Sequence, residues 1–256
     1  VGDYVEFKAD NENEGYVLKI LERKNHLVRP PVANVDCAIV VTACIEPDFS
    51  SNLLDRQLVM LSENEIVPIL YFSKADLMDE TTKERMLPVF DYYSKYYRTV
   101  VSEKNMADEE LVSALLEEAG NVLVVMGQTG AGKSTLLNRL DPKLKLETGE
   151  ISKALSRGRH TTRKVSLMDV KGHLIADTPG FSSFELREIE KERLSSLFED
   201  FNEYSPQCRF RGCLHLNEPD CAVKAAVLEG KILERRYENY KLFQKMIQEQ
   251  KPRYKR

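Results

Sequence analysis

No stretch of this 256-residue chain approaches 18 consecutive apolar residues, so no ordinary membrane-spanning helix is expected. No secretory-type leader opens the sequence as given, and on that footing disulfides are not expected among its five cysteines. No internal repeat is visible. Composition is not extreme either. Hydrophobic residues make up 42% and charged residues 30%, the balance of a soluble globular protein. The length suits one main domain with smaller appendages. The expectation is a cytoplasmic monomer without a membrane partner. The chain opens on Val1-Gly2-Asp3-Tyr4-Val5-Glu6-Phe7, which reads as the middle of a β-structure, so further residues upstream are expected.

Positive and negative charges nearly balance overall but are unevenly spread. The net charge is −4, yet Lys231 to Arg256 holds nine Lys/Arg against three Glu, a local +6 that leaves −10 for the rest. A basic tail on an acidic body suits a polyanionic partner, and equally a solvated helix face.

Residues 1–31 read as short strands, Tyr4–Phe7 and Gly15–Leu21, split by the turn-prone segment 10–14. Two or three strands cannot bury a core alone, so they are expected to be the end of a small barrel. Arg29-Pro30-Pro31 reads as a stiff linker. From Val35 strands and helices alternate. Strands are expected at 37–42, 67–72, 98–102, 121–126, 164–170 and 173–176, and helices at 53–61, 80–95, 109–119 and 133–140. Continuous apolar strands separated by helices predict an α/β fold, a mostly parallel sheet with helices on both faces. Residues 141–163 are polar and read as a mobile loop. Three units are expected: a barrel remnant at 1–31, the α/β domain at 32–200, and a metal-binding helical domain at 201–256.

Gly127-Gln128-Thr129-Gly130-Ala131-Gly132-Lys133-Ser134 fits G-x-x-x-x-G-K-S, between a strand and a helix opened by Thr135. Glycines let backbone amides wrap phosphates, and the helix N-terminus adds a positive dipole end. Lys133 is expected to reach the β- and γ-phosphates and Ser134 to ligate Mg²⁺. Asp177-Thr178-Pro179-Gly180 ends a later strand. Alone it fits a plain turn. Downstream of a P-loop, Asp177 suits a water-mediated Mg²⁺ contact and the Gly180 amide suits the γ-phosphate.

Ser73-Lys74-Ala75-Asp76 follows a buried strand. Asp76 can accept two hydrogen bonds from the guanine N–H edge, a pairing adenine cannot offer, and Lys74 can lie along the base. The motif stands 51 residues before Gly127, the reverse of the ordinary order. Cutting one loop and joining the old termini keeps every strand neighbour, so the order predicts a circularly permuted GTPase domain. Ser102 then falls in the second base-contacting loop.

Cys208-x4-Cys213-x-His215-x5-Cys221 offers three thiolates and one imidazole, a closed tetrahedral set that suits structural Zn²⁺. Metal is expected to fold this apolar-poor segment. Cys37 and Cys44 read as inert core residues. Tyr237, Tyr240 and Tyr254 stand among basic residues, to stack on bases or to pack on the domain.

The permuted order, Gly158-Arg159-His160-Thr161-Thr162, Asp177-Thr178-Pro179-Gly180 and the cysteine cluster together resemble the RsgA family of bacterial small ribosomal subunit biogenesis GTPases, over residues 1 to about 250. That resemblance implies an OB-fold barrel at the N-terminus and GTP/GDP as ligands. It also implies late maturation of the small subunit as the role, with rRNA contact and slow turnover stimulated by the subunit. The family's base motif usually begins with Asn. Ser73 keeps a hydroxyl but is expected to brace the loop less. Thr161 or Thr162 is expected to close onto Mg²⁺ as a switch. Phe181 stands where many GTPases keep a water-orienting Gln, and cannot serve as one; His160 is a candidate to orient water once the loop is ordered, and equally a surface histidine that contacts RNA or nothing. Arg157, Arg159 and Arg163 could meet phosphate. The alternative reading is an RNA-binding regulator that uses GTP as a state marker with little turnover.

Overall fold

The computed structural model describes residues 1–9, 11, 14–28, 30–146, 165–176, 186 and 189–249. In chain order its strands are β1 (Val5–Ala9), β2 (Gly15–Ile20), β3 (His26–Leu27), β4 (Val32–Ala33), β5 (Cys37–Ala43), β6 (Val67–Ser73), β7 (Arg98–Val101), β8 (Val122–Gly127), β9 (Leu167–Val170) and β10 (His173–Ala176). Helices are α1 (Ser51–Glu63), α2 (Glu80–Ser94), α3 (Asp108–Leu116), α4 (Lys133–Leu140), α5 (Glu199–Asn202), α6 (Ala222–Leu228) and α7 (Glu234–Gln248). None is long and apolar enough to cross a membrane.

Six strands form the central sheet in the order β7-β6-β5-β8-β10-β9. All pairs are parallel except β9 with β10, the hairpin turned by Lys171-Gly172. Strand periodicity sorts β5 onto two faces. Ala38 and Val40 face one apolar layer with Leu54, Leu58 and Leu61 of α1 and Met86 and Phe90 of α2. Ile39 and Val41 face the other layer, with Leu111 and Leu115 of α3 and Leu136 and Leu140 of α4. Burial on both faces explains why these strands read as unbroken apolar runs. Local chemistry sets the helix starts. The Ser50 hydroxyl accepts from Leu53 N at 3.3 Å and the Asp79 carboxylate from Thr82 N at 2.8 Å.

The expected linker at 29–31 is not a linker. Pro30 and Pro31 sit at the turn between β3 and β4, with Val32 N donating to Pro30 O at 2.9 Å. Leu27 and Val32 are buried in the same layer as α1. Asn25 ties the hairpin to the segment just before β5, donating to Val35 O and accepting from Val35 N, both at 2.8 Å. A fixed proline φ serves a tight turn as well as it serves a spacer, and the buried Leu27 and Val32 decide between them. Ahead of the hairpin, β1 and β2 pair as an antiparallel ribbon whose residues are all exposed. Among the described residues no closed barrel forms around it.

A third apolar layer gathers Leu194, Phe198, Phe201, Val223, Ile232, Tyr240 and Phe243, with α7 lying against α1.

Candidate nucleotide site and metal centre

Every residue of β8 is buried, and the strand delivers the chain to Gly127 at its end. Gly127 has φ +147, and a Cβ there would stand 2.1 Å from Val41 O, so no other residue fits beside β5. Ala131 N donates to Gln128 O at 3.1 Å, curling the loop. Gly132, at φ +92, opens α4. Lys133 Nζ donates to Gly127 O at 2.8 Å and Gln128 O at 2.9 Å, so the ammonium sits inside its own loop. Ser134 is half-buried, while Thr129, Gly130 and Thr135 are exposed.

The neighbouring strand ends, β6 and β7, supply a second loop pair. Ser73 is buried, and its hydroxyl donates to Ala131 O at 2.6 Å, tying the end of β6 to the phosphate-type loop. Serine therefore ties the two loops together through one hydrogen bond. Lys74 has φ +60, and its ammonium donates to Glu46 O. Ser102 Oγ accepts from Ala75 N at 2.9 Å and lies 3.5 Å from Asp76 Oδ1, where its own hydrogen can donate. Ser102 N donates to Phe72 O at 2.9 Å. Asp76 is thus oriented from below while its carboxylate stays exposed. The segments Ser73–Asp76 and Gly127–Ser134, reversed in the chain, lie at the same C-terminal end of the parallel strands, on either side of β5. Gly158, His160, Thr161, Thr162, the arginines 157, 159 and 163, Asp177–Gly180 and Phe181 lie outside the described residues.

Cys208, Cys213, His215 and Cys221 converge, their ligand atoms all within 4.8 Å of one another. Cys208 Sγ lies 3.8 Å from Cys221 Sγ, and His215 Nδ1 lies 3.6 and 3.3 Å from those two sulfurs. Zn–S bonds of about 2.3 Å in a tetrahedron put sulfurs about 3.8 Å apart, so the four groups fit one ion of that size. The surroundings hold the ligands in place. Glu218 accepts from Leu214 N and Leu216 N, each at 2.9 Å. Tyr237 donates to His215 O at 2.6 Å and Tyr240 to Leu214 O at 2.7 Å, which sets these rings against the domain rather than toward a base. Lys224 N points at Cys221 Sγ at 3.5 Å. Burial pushes the Cys213 thiol up to about 12 and raises Cys221, while it lowers His215. The imidazole is therefore ready to ligate in its neutral form, and a cation must displace the thiol protons. Tyr254 lies outside the described residues. Cys37 and Cys44 are buried core thiols, raised by burial, Cys44 to about 12.

One site escaped the sequence reading. Arg236 of α7 is buried and binds two buried carboxylates. Its Nε and Nη2 meet Asp200 Oδ1 at 2.8 and 2.7 Å, and its Nη1 meets Asp55 Oδ1 of α1. Tyr92 donates to Asp200 at 2.5 Å, Tyr93 to Asp55 at 2.6 Å and Asn239 to Asp55 at 2.7 Å. The guanidinium also lies over Phe198, 4.8 Å from its centroid. Burial drives the Asp55 carboxyl upward, against the pull of Arg236. One of the nine tail cations is thus a core residue, not a solvated charge. A lone Arg in a basic helix gives no periodic signal that could have marked it.

A P-loop and a base-type loop brought together in inverted chain order define a circularly permuted GTPase. Residues 20–187 match the family model described as RsgA GTPase, and the chain belongs to that family of GTP hydrolases. It is 55% identical to the small ribosomal subunit biogenesis GTPase RsgA of Limosilactobacillus reuteri, over all of this chain and 87% of that one. It is 52% identical to the protein of the same name from Pediococcus pentosaceus, covering 83% of it. The solved circularly permuted GTPase YloQ superposes with a TM-score of 0.81 at 39% identity, over 99% of this chain and 82% of that one. YjeQ from Thermotoga maritima superposes at 0.83 and 36%, over 98% and 85%.

Proposed function

We propose that this GTPase acts in late maturation of the small ribosomal subunit, as a cytoplasmic monomer that contacts rRNA and turns over GTP when the subunit is bound. The observation that carries the nucleotide assignment is the 2.6 Å bond from Ser73 to Ala131 O, which joins the two loops into one cradle. In this reading Asp76 accepts the guanine N–H edge, the stem of Lys74 flanks the base, and Ser102 holds Asp76 in register. Amides from Gln128 to Thr135 surround the phosphates at the N-terminus of α4. Lys133 exchanges its two loop carbonyls for the β- and γ-phosphates. Mg²⁺, held by Ser134 and through water by Asp177, would neutralise charge between those phosphates. Thr161 or Thr162 would close onto Mg²⁺, the Gly180 amide would meet the γ-phosphate, and His160 would orient the attacking water, since the Phe181 side chain has no polar atom to do so. The Cys3His set takes Zn²⁺ as a structural ion. Its four protein ligands leave no open position for catalysis. Residues 1–31 belong to an OB-type barrel, and 201–256 form the metal-binding unit.

Phosphate release from GTP with and without small subunits tests this function. Stimulation of at least tenfold is expected, and no stimulation refutes it. Phe181 favours a second reading, a regulator that holds GTP as a state marker. Binding to subunits that depends on GTP, with no added turnover, selects that reading. His160→Ala should abolish stimulated release while leaving subunit binding intact.

A further inference from the structure

Cys208 and Cys213 bracket a short loop, Arg209-Phe210-Arg211-Gly212. Phe210 is 44% exposed, and the residues on both sides of it are exposed as well. The Arg209 guanidinium lies over the Phe210 ring, 5.4 Å from its centroid. It also donates to Asp220 Oδ2 at 2.7 Å, and Asp220 directly precedes Cys221. The Arg209 guanidinium therefore covers part of the ring, and nearly half of Phe210 stays open to solvent.

An exposed Phe alone needs no explanation. This one is held between two residues that converge on one metal-type cluster, and its neighbour Arg209 makes a solvent-exposed ion pair. Part of the ordering cost of the loop is met in folding, which leaves more of a contact's energy for binding. An accessible aromatic face with arginines on either side supplies the two elements of single-stranded RNA recognition, a stacking platform and phosphate neutralisation.

We propose that Phe210 stacks on an unpaired nucleobase of ribosomal RNA, with Arg209 behind the ring and Arg211 against the adjoining phosphate. This rests on the small-subunit reading above. An apolar protein groove is the rival occupant, and the two ask different things of the side chain. A groove needs apolar volume, which Leu keeps. A base needs an aromatic face, which Leu lacks and Trp has.

The test is binding of the full chain to purified small subunits across a salt series. Phe210→Leu should weaken binding roughly 5- to 100-fold, the range that loss of one base stack produces. Phe210→Trp should stay within about twofold of wild type. Arg211→Gln should reduce the slope of log affinity against log salt by about 0.7. Metal content and GTP hydrolysis without subunits should not change in any variant. Wild-type affinity in Phe210→Leu, or equal losses in Leu and Trp, overturns the stacking role and leaves the small-subunit function standing. A wild type that does not bind subunits overturns both.

Discussion

Arg236→Met removes the cation that pairs with both Asp55 and Asp200. All three side chains are at most 2% exposed, so no solvent screens the two carboxylates left behind. Methionine keeps most of the apolar stem, so the cavity contribution is small. Breaking a buried ion pair from one side costs about 3–5 kcal/mol, because the orphaned charge stays buried. The hydroxyls of Tyr92 and Tyr93 and the Asn239 amide remain to solvate the carboxylates, which places the expected loss near the lower figure. Against a total stability of about 5–15 kcal/mol this is a large share. At about 2–4 °C per kcal/mol for a chain of this size, the melting temperature should fall by roughly 6–12 °C. Urea unfolding followed by circular dichroism measures the loss through the midpoint at constant slope. The decisive control adds Asp55→Asn and Asp200→Asn to the same chain. Neutralising the whole group removes the buried charge, so the triple variant should regain at least half of the lost stability. A loss below about 1 kcal/mol in Arg236→Met, or a triple variant no better than the single one, refutes the argument.

Asp76→Asn should cost GTP about 10- to 100-fold in affinity and turn the preference toward xanthine nucleotides, because the amide presents a donor where the carboxylate accepted. Competition between GTP and XTP measures it, and unchanged selectivity removes Asp76 from the base site. Cys213→Ser should lower bound metal to less than half of wild type by elemental analysis; equal metal content refutes its place among the ligands. Asp36 joins the start of β5 to β8, accepting from Asn121 N at 2.7 Å, Val122 N at 2.9 Å and the Lys24 ammonium. Burial pushes its carboxyl up, but these partners outweigh that and hold it below its ordinary value of 3.8. A depressed carboxyl stabilises the fold above its ordinary pKa and loses that contribution as pH falls through the lower one. Asp36→Asn should therefore cost about 1–2 kcal/mol at pH 7, with the gap closing below about pH 4. Urea midpoints at the two pH values decide it, and a gap independent of pH refutes it.

The P-loop and the cysteine cluster were legible because each packs its chemistry into one short segment, where spacing alone carries the geometry. The sheet was legible because burial on both faces writes unbroken apolar runs at 37–41, 69–72 and 122–126. The inverted order of Asp76 and Gly127 disclosed the permutation, since strand neighbours are indifferent to where the chain is cut. The Arg236 group was not legible. Asp55, Asp200 and Arg236 come from segments far apart, and each looks like an ordinary surface charge until folding places them together. Pro30 and Pro31 misled for a related reason, because the residues that make them a turn, Leu27 and Val32, act through long-range burial. The Ser73 contact was not legible for the same reason, because it depends on Ala131, 58 residues away, approaching the end of β6 and bringing a carbonyl within reach of a hydroxyl.

The position of the Arg236 group bears on how the two ends of the molecule communicate. Chain connectivity links the metal centre to the phosphate loop only through the long segment that follows β10. Contacts link them by a different route. Arg236 and Asn239 of α7 hold Asp55 of α1, and Asn239 also reaches Ser51 at 3.2 Å, at the first turn of that helix. The loop leading into α1 carries Glu46, whose carbonyl receives the Lys74 ammonium. The C-terminal helix therefore meets the nucleotide domain on the base-loop side of the sheet, on the face of α1 and α2, and not on the face of α4. A shift of α7 that preserved its buried ion pairs would have to carry α1 with it, because separating either carboxylate from the guanidinium carries the same cost of about 3–5 kcal/mol. Rigid attachment at that point makes guanine affinity the property to measure when the metal centre is perturbed. In Cys213→Ser, a change in GDP affinity with the Arg236 group intact, lost once Arg236 is replaced as well, would mark α1 as the element that transmits it.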